Sequence, residues 1–144
     1  MFVFVKIDSD NMVDAASVQQ EVPDAGWLRV VDTVTDPATE VSCAFSRELK
    51  ELCRGQLVGS EIVARPALEP ITWDAATKTV TVPACPTGTQ IMVWDVIAKT
   101  VLHSGPADTT EQTTITLSDA GSYEIELTPP LPTLEQSIRI TVYA

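Results

Sequence analysis

The chain has 144 residues, 44% of them hydrophobic, with 20 acidic against 9 basic side chains and a formal charge of −11. That length suits one ordinary domain or two small ones, and the apolar fraction excludes a wholly disordered chain. An acidic surface repels phosphate backbones and anionic membranes, which disfavours nucleic-acid binding, and no apolar run reaches the roughly 20 residues that span a bilayer.

The opening run, Phe2–Ile7, is β-rich and reads as a strand. It lacks the basic start and long apolar stretch of a signal peptide, so synthesis in the cytoplasm without membrane insertion is expected. Asp8, Asp10 and Asn11 in "DSDN" then supply turn chemistry. Their oxygens suit calcium in type, but the spacing and closing glutamate of an EF-hand are missing, so a turn is the better reading. "GWLRVVD" (26–32) reads as a second strand. "RELKEL" (47–52) predicts a short helix capped by Ser46, with Leu49 and Leu52 on one face. "RGQLVGSEIVARP" predicts a hairpin turning near Gly59 and Ser60.

This first half is small and irregular, and it is expected to need a partner or the second half to stay folded. Pro66 and Pro70 favour an extended connector, which places a boundary near residue 68. The expected division is a docking domain over 1–67 and a second domain over 68–144.

The second half alternates at period two. Strands are predicted at Ile71–Asp74, Thr79–Val82, Gln90–Val96, Thr100–His103, Thr113–Leu117, Tyr123–Leu127 and Ser137–Tyr143. Seven short strands separated by Pro, Gly and Asp turns predict an antiparallel sandwich. No internal repeat is expected. The fold class is mainly β: a small β-rich (α+β) segment, then the sandwich.

Catalytic and metal chemistry finds little footing. Cys43, Cys53 and Cys85 form no CxxC, and with His103 alone they do not make a zinc set. Buried free thiols are the default, and any disulfide would join Cys43 to Cys53. His103 and Ser104 are sequence neighbours, which alternate across a strand, and no G-x-S-x-G elbow occurs. Glu124 and Glu126 share one strand face and read as a solvated surface. No enzyme, cofactor or metal is expected. Trp27 and Trp73, near segment ends, are the interface candidates, with contact to a host-surface glycan a weaker expectation.

Asp119, Gly121 and Tyr123 in "SDAGSYEIEL" resemble the D-x-G-x-Y tyrosine corner of immunoglobulin-like domains. The resemblance implies that the tyrosine hydroxyl bonds upstream backbone, that Asp119 satisfies turn amides, and that Gly121 takes a backbone conformation closed to bulkier residues. It also matches Trp94 in "IMVWDV" to the buried tryptophan of the third strand. The two disulfide positions fall at Val80 and Ile125, which implies an apolar contact over Trp94 in place of the bond, as suits a reducing compartment.

The first half is similar to small tail-associated proteins of tailed bacteriophages, through "MFVFVKIDSDNMV", "PDAGWLRVVD" and "CRGQLVGSEIVARP", and the ending "LPTLEQSIRITVYA" adds to the likeness. What this implies is a structural virion component of the tail tip or baseplate, made in the host cytoplasm, docked on other tail proteins or on copies of itself. The alternatives are a tail-fibre assembly chaperone, a capsid or tail decoration protein, and a cell-surface adhesion module.

Overall fold

The computed structural model describes residues 1–144 and is mainly β, with thirteen strands and one short helix. It divides into two compact units, Met1–Arg65 and Pro66–Ala144. The boundary lies at Arg65–Pro66, slightly ahead of the expected position.

The first unit is more regular than its sequence suggests. Its strands are β1 (Phe2–Ile7), β2 (Val13–Gln19), β3 (Trp27–Val31), β4 (Glu40–Cys43), β5 (Gly55–Val58) and β6 (Glu61–Ala64), and they form one sheet in the order β2-β1-β3-β4-β6-β5. β4 pairs in parallel with both β3 and β6, and the other pairings are antiparallel. The two outermost strands meet again at one end. Met12 bridges Gln56, and the Leu57 amide donates to the Asn11 carbonyl at 2.7 Å. The sheet therefore curls into a partly closed barrel.

The helix α1 (Leu49–Leu52) is a single turn packed beside β2. It starts later than predicted, and Ser46 does not cap it: the Ser46 hydroxyl accepts from the amide of Glu48, the residue just before the helix. Its contribution is Leu52, wholly buried with Val5, Val13, Val30, Val41, Cys43 and Ile62. Gly55 follows because nothing larger fits. A Cβ there would lie 2.5 Å from the Ile62 Cγ2 and 3.0 Å from the Leu52 carbonyl.

The second unit holds two sheets. β7 (Thr72–Asp74), β8 (Thr79–Val82) and β11 (Thr113–Thr116) form one, in the order β11-β8-β7. β9 (Gln90–Asp95), β10 (Thr100–Pro106), β12 (Gly121–Thr128) and β13 (Gln136–Val142) form the other, in the order β10-β9-β12-β13. All pairings are antiparallel. Val80 and Val82 from the small sheet share one core with Ile91, Val93, Tyr123, Ile125, Leu127, Ile140 and Val142 from the large one. In the constant-type immunoglobulin arrangement the fourth strand joins the first sheet. Here the fourth strand, β10, lies beside β9, giving three strands on four.

Two hairpins of this unit repeat one short motif, contrary to the expectation of no repeat. "DAATKT" (74–79) joins β7 to β8, and "DVIAKT" (95–100) joins β9 to β10. Asp74 Oδ1 accepts from the Ala76 and Thr77 amides, and Asp95 Oδ1 accepts from the Ile97 and Ala98 amides. Lys78 and Lys99 then close the turns at φ 52° and 56°. Asp8, Asp36 and Asp108 make the same bond to the amide two residues on. Five of the chain's 20 acidic residues are thus turn chemistry.

Candidate functional site

The residues singled out from the sequence fall into three places. The first is the corner before β12. The Tyr123 hydroxyl donates to the Asp119 carbonyl at 2.9 Å. Tyr123 is 3% exposed, and burial, with the carboxylates of Asp95 and Asp119 nearby, pushes its phenol up, so it stays a donor across the ordinary pH range. Asp119 contributes through its backbone oxygen. Gly121 is required for space rather than for an unusual φ. A Cβ there would stand 3.2 Å from the Tyr123 hydroxyl and 3.3 Å from its Cζ. These three residues form a fold device, with the hydroxyl consumed inside the chain.

The second place is the sandwich core. Val80 and Ile125 are both fully buried in one cluster. Trp94 is not part of it, which corrects the expected stack over that tryptophan. On β9 the inward positions are Ile91 and Val93, and Trp94 falls between them in phase on the outer face. The buried position opposite Ile125 belongs to Val93. Trp94 pairs across with Glu124 and lines a shallow depression of about 310 Å³ with Asp95, Val96, Lys99, Glu124 and Glu126. Both glutamates lie on this outer face as expected, and Arg139 pairs with Glu124 at 2.8 Å.

The third place is the surface of the first unit. Trp27 is half-buried at the start of β3, two residues from Arg29 and register-paired with Lys6. Trp73 instead packs against the sandwich core from β7, so it is a core-edge residue and not a free aromatic. The two tryptophans named as interface candidates therefore belong to different units, and Trp27 borders a surface groove.

The remaining chemistry is quiet. Asp8 Oδ1 accepts from the Asp10 and Met12 amides at 2.9 Å each, which ties the "DSDN" segment into a turn. No group of three or more His, Cys, Asp or Glu side chains is placed to hold a metal ion. His103 lies on β10 opposite Val93, and Ser104 opposite Met92, on alternate faces. The three cysteines are free. Cys43 and Cys85 are buried, but Cys53 is exposed, which corrects the expectation that all are buried. Burial raises the Cys85 thiol, which donates to the Pro83 carbonyl at 3.2 Å. No helix is long and apolar enough to cross a membrane.

No family model matches the chain, and no curated protein or solved structure is significantly similar to it.

Proposed function

We propose that this protein is a non-enzymatic structural component of a bacteriophage tail, at the tail tip or baseplate. Its first unit docks on neighbouring tail proteins, and its immunoglobulin-like unit is presented beyond that contact. One observation carries the docking half of this reading. The first unit leaves Phe2 and Val22 exposed at 41% and 72%, the first stacked under the Arg29 guanidinium and the second lining the same groove as that arginine. Scattered exposed apolar side chains are ordinary, but apolar residues gathered around one groove are the usual mark of a surface that a partner covers. The phage assignment rests on the sequence resemblance.

A tail-fibre assembly chaperone is the second reading, favoured by β10. That strand is a seven-residue sheet edge bearing exposed Val101 and Leu102, with exposed Ile97 in the turn before it. An open apolar edge suits addition of a client strand. Peptide mass spectrometry on purified virions from the encoding source separates the two. A few copies per particle supports the tail-tip role. Absence from particles of a chain that is expressed supports the chaperone and removes the structural reading.

A further inference from the structure

On β1, Val3 and Val5 face the barrel core, so Phe2, Phe4 and Lys6 belong to the outer face. Phe4 is nevertheless only 1% exposed. It forms the floor of a groove of about 320 Å³ walled by Val22, Trp27, Arg29, Thr39 and Glu40. The register places Arg29 directly opposite Phe4 on one side and Glu40 on the other.

Arg29 is the unusual member. Its guanidinium carbon lies 3.8 Å from the centroid of the Phe2 ring, so the planar head is held by stacking. Its Nε is buried without a hydrogen-bond partner. Glu40, the obvious acceptor across the strands, is engaged elsewhere. One of its oxygens accepts from the Thr35 hydroxyl at 2.7 Å and from the Asp36 and Thr35 amides at 2.9 and 3.2 Å. In a chain with more than twice as many acidic as basic residues, this arginine makes no ion pair, although its charge is felt by the Glu40 carboxylate. By contrast, Arg47 bonds Asp32 and Arg139 bonds Glu124.

A stacked, oriented guanidinium whose Nε lacks an acceptor, beside a tryptophan and an apolar floor, combines two of the three side-chain types most enriched where binding energy concentrates. Its charge selects an anion, and its fork suits a carboxylate. Trp27 and Arg29 sit two residues apart on one strand face, so an extended ligand matches them with side chains at the same spacing. We propose that the groove receives an extended segment of a partner protein. That segment sets an apolar side chain over Phe4 against Trp27 and, two residues along, a carboxylate on the Arg29 guanidinium. This rests on the reading of the first unit as the docking part, and it does not depend on the partner being a tail protein.

The test uses the full chain with Trp73→Phe and Trp94→Phe, so that Trp27 alone fluoresces. The probe is an acetylated, amidated pentapeptide with phenylalanine and aspartate two residues apart and serine elsewhere. Its asparagine counterpart and inorganic phosphate serve as comparisons. The expected result is saturable change in Trp27 emission and a shifted Arg29 Nε–H NMR signal. The asparagine peptide should bind at least about tenfold more weakly, the loss of a charge-assisted bond. Arg29→Met should remove the difference between the two peptides, while Arg29→Lys should keep part of it, with amide spectra confirming the fold. Equal binding of both peptides, discrimination that survives Arg29→Met, or phosphate reproducing the aspartate peptide's affinity and shifts would each overturn the proposal. So would the absence of saturation at millimolar peptide. Particle incorporation then reports separately on the docking reading: a chain with Arg29→Met and Trp27→Ala that enters virions normally sinks this groove while leaving that reading standing.

Discussion

The Tyr123 hydroxyl and the Asp119 carbonyl, 2.9 Å apart and separated by one turn of chain, lock the entry to β12. Gly121 lies beneath the ring that makes this bond, and its missing side chain is the space the ring occupies. Tyr123→Phe should therefore lower stability by about 1 kcal/mol, the value of one partly buried hydrogen bond. Gly121→Ala should cost about 1 kcal/mol or more by overpacking. Phenylalanine removes the hydroxyl contact at 3.2 Å but keeps the Cζ contact at 3.3 Å, so the alanine should cost only slightly less once Tyr123 is phenylalanine. Urea midpoints for the two single variants and the double variant measure this coupling. Strict additivity would mean that the alanine is crowded by the ring carbons and not by the hydroxyl.

The placement of Trp94 reverses the order expected from the immunoglobulin resemblance. Ile125→Ala removes a fully buried side chain and should cost about 2–5 kcal/mol. Trp94→Ala opens no cavity in the shared core and should cost less than about 1 kcal/mol, as surface-face substitutions do. Chemical denaturation of the two variants decides it. A larger loss for Trp94→Ala would return the tryptophan to the core.

Lys99 sits at φ 56°, in the left-handed region, at the end of a hairpin turn. That conformation costs an ordinary residue about 1–2 kcal/mol, whereas the added freedom of a glycine in the unfolded chain costs about 0.5–1 kcal/mol. Lys99→Gly should thus raise stability, by up to about 1.5 kcal/mol. A lowered melting midpoint would show that the lysine side chain stabilises the turn by more than its backbone strains it. Lys78 is the poorer test, since its Nζ also donates to the Ser118 carbonyl at 3.3 Å.

Asp74 and Asp108 are held below the ordinary aspartate value by turn amides: those of Ala76 and Thr77 for the first, and of Thr110 and Glu111 for the second. A depressed folded value means that the ionised form stabilises the fold. This contribution is fully present above the ordinary value of 3.8 and is lost as pH falls through the lower folded value. Asp108→Asn keeps an acceptor oxygen but not the charge. It should melt below the parent chain at pH 7, and the gap should close under acid. Thermal melts over a pH series test this, and a gap that does not change with pH would remove ionisation from the account.

The sequence was most legible where β-favouring residues run together between turn signals. β1 and β8 appear at their predicted limits because both are built mainly of Phe, Val, Ile and Thr. β2 ("VDAASVQ") and β4 ("EVSC") were missed because Ala, Ser and Asp carry weak strand signals, and their pairing comes from neighbours distant in sequence. Trp94 was misplaced by matching residue type over phase. The alternation of Ile91 and Val93 already put it on the other side. Trp27 could be read from the sequence as packed or as an interface candidate, and it is half-buried. The groove beside it was not legible, because Arg29 lacks an acceptor only once Glu40 turns toward Thr35 and Asp36, a choice made by the loop between β3 and β4.

The repeated aspartate turns make surface charge and chain path separately adjustable. Asparagine presents the same Oδ1 to the same amide. Exchanging Asp8, Asp36 and Asp95 for asparagine would take the formal charge from −11 to −8, three charges fewer, while leaving each turn an acceptor. The protein thereby offers its own control for long-range attraction. Encounter rates with any charged partner can be measured across a ladder of net charge on an unchanged backbone, so steering at a distance can be told apart from fit on contact.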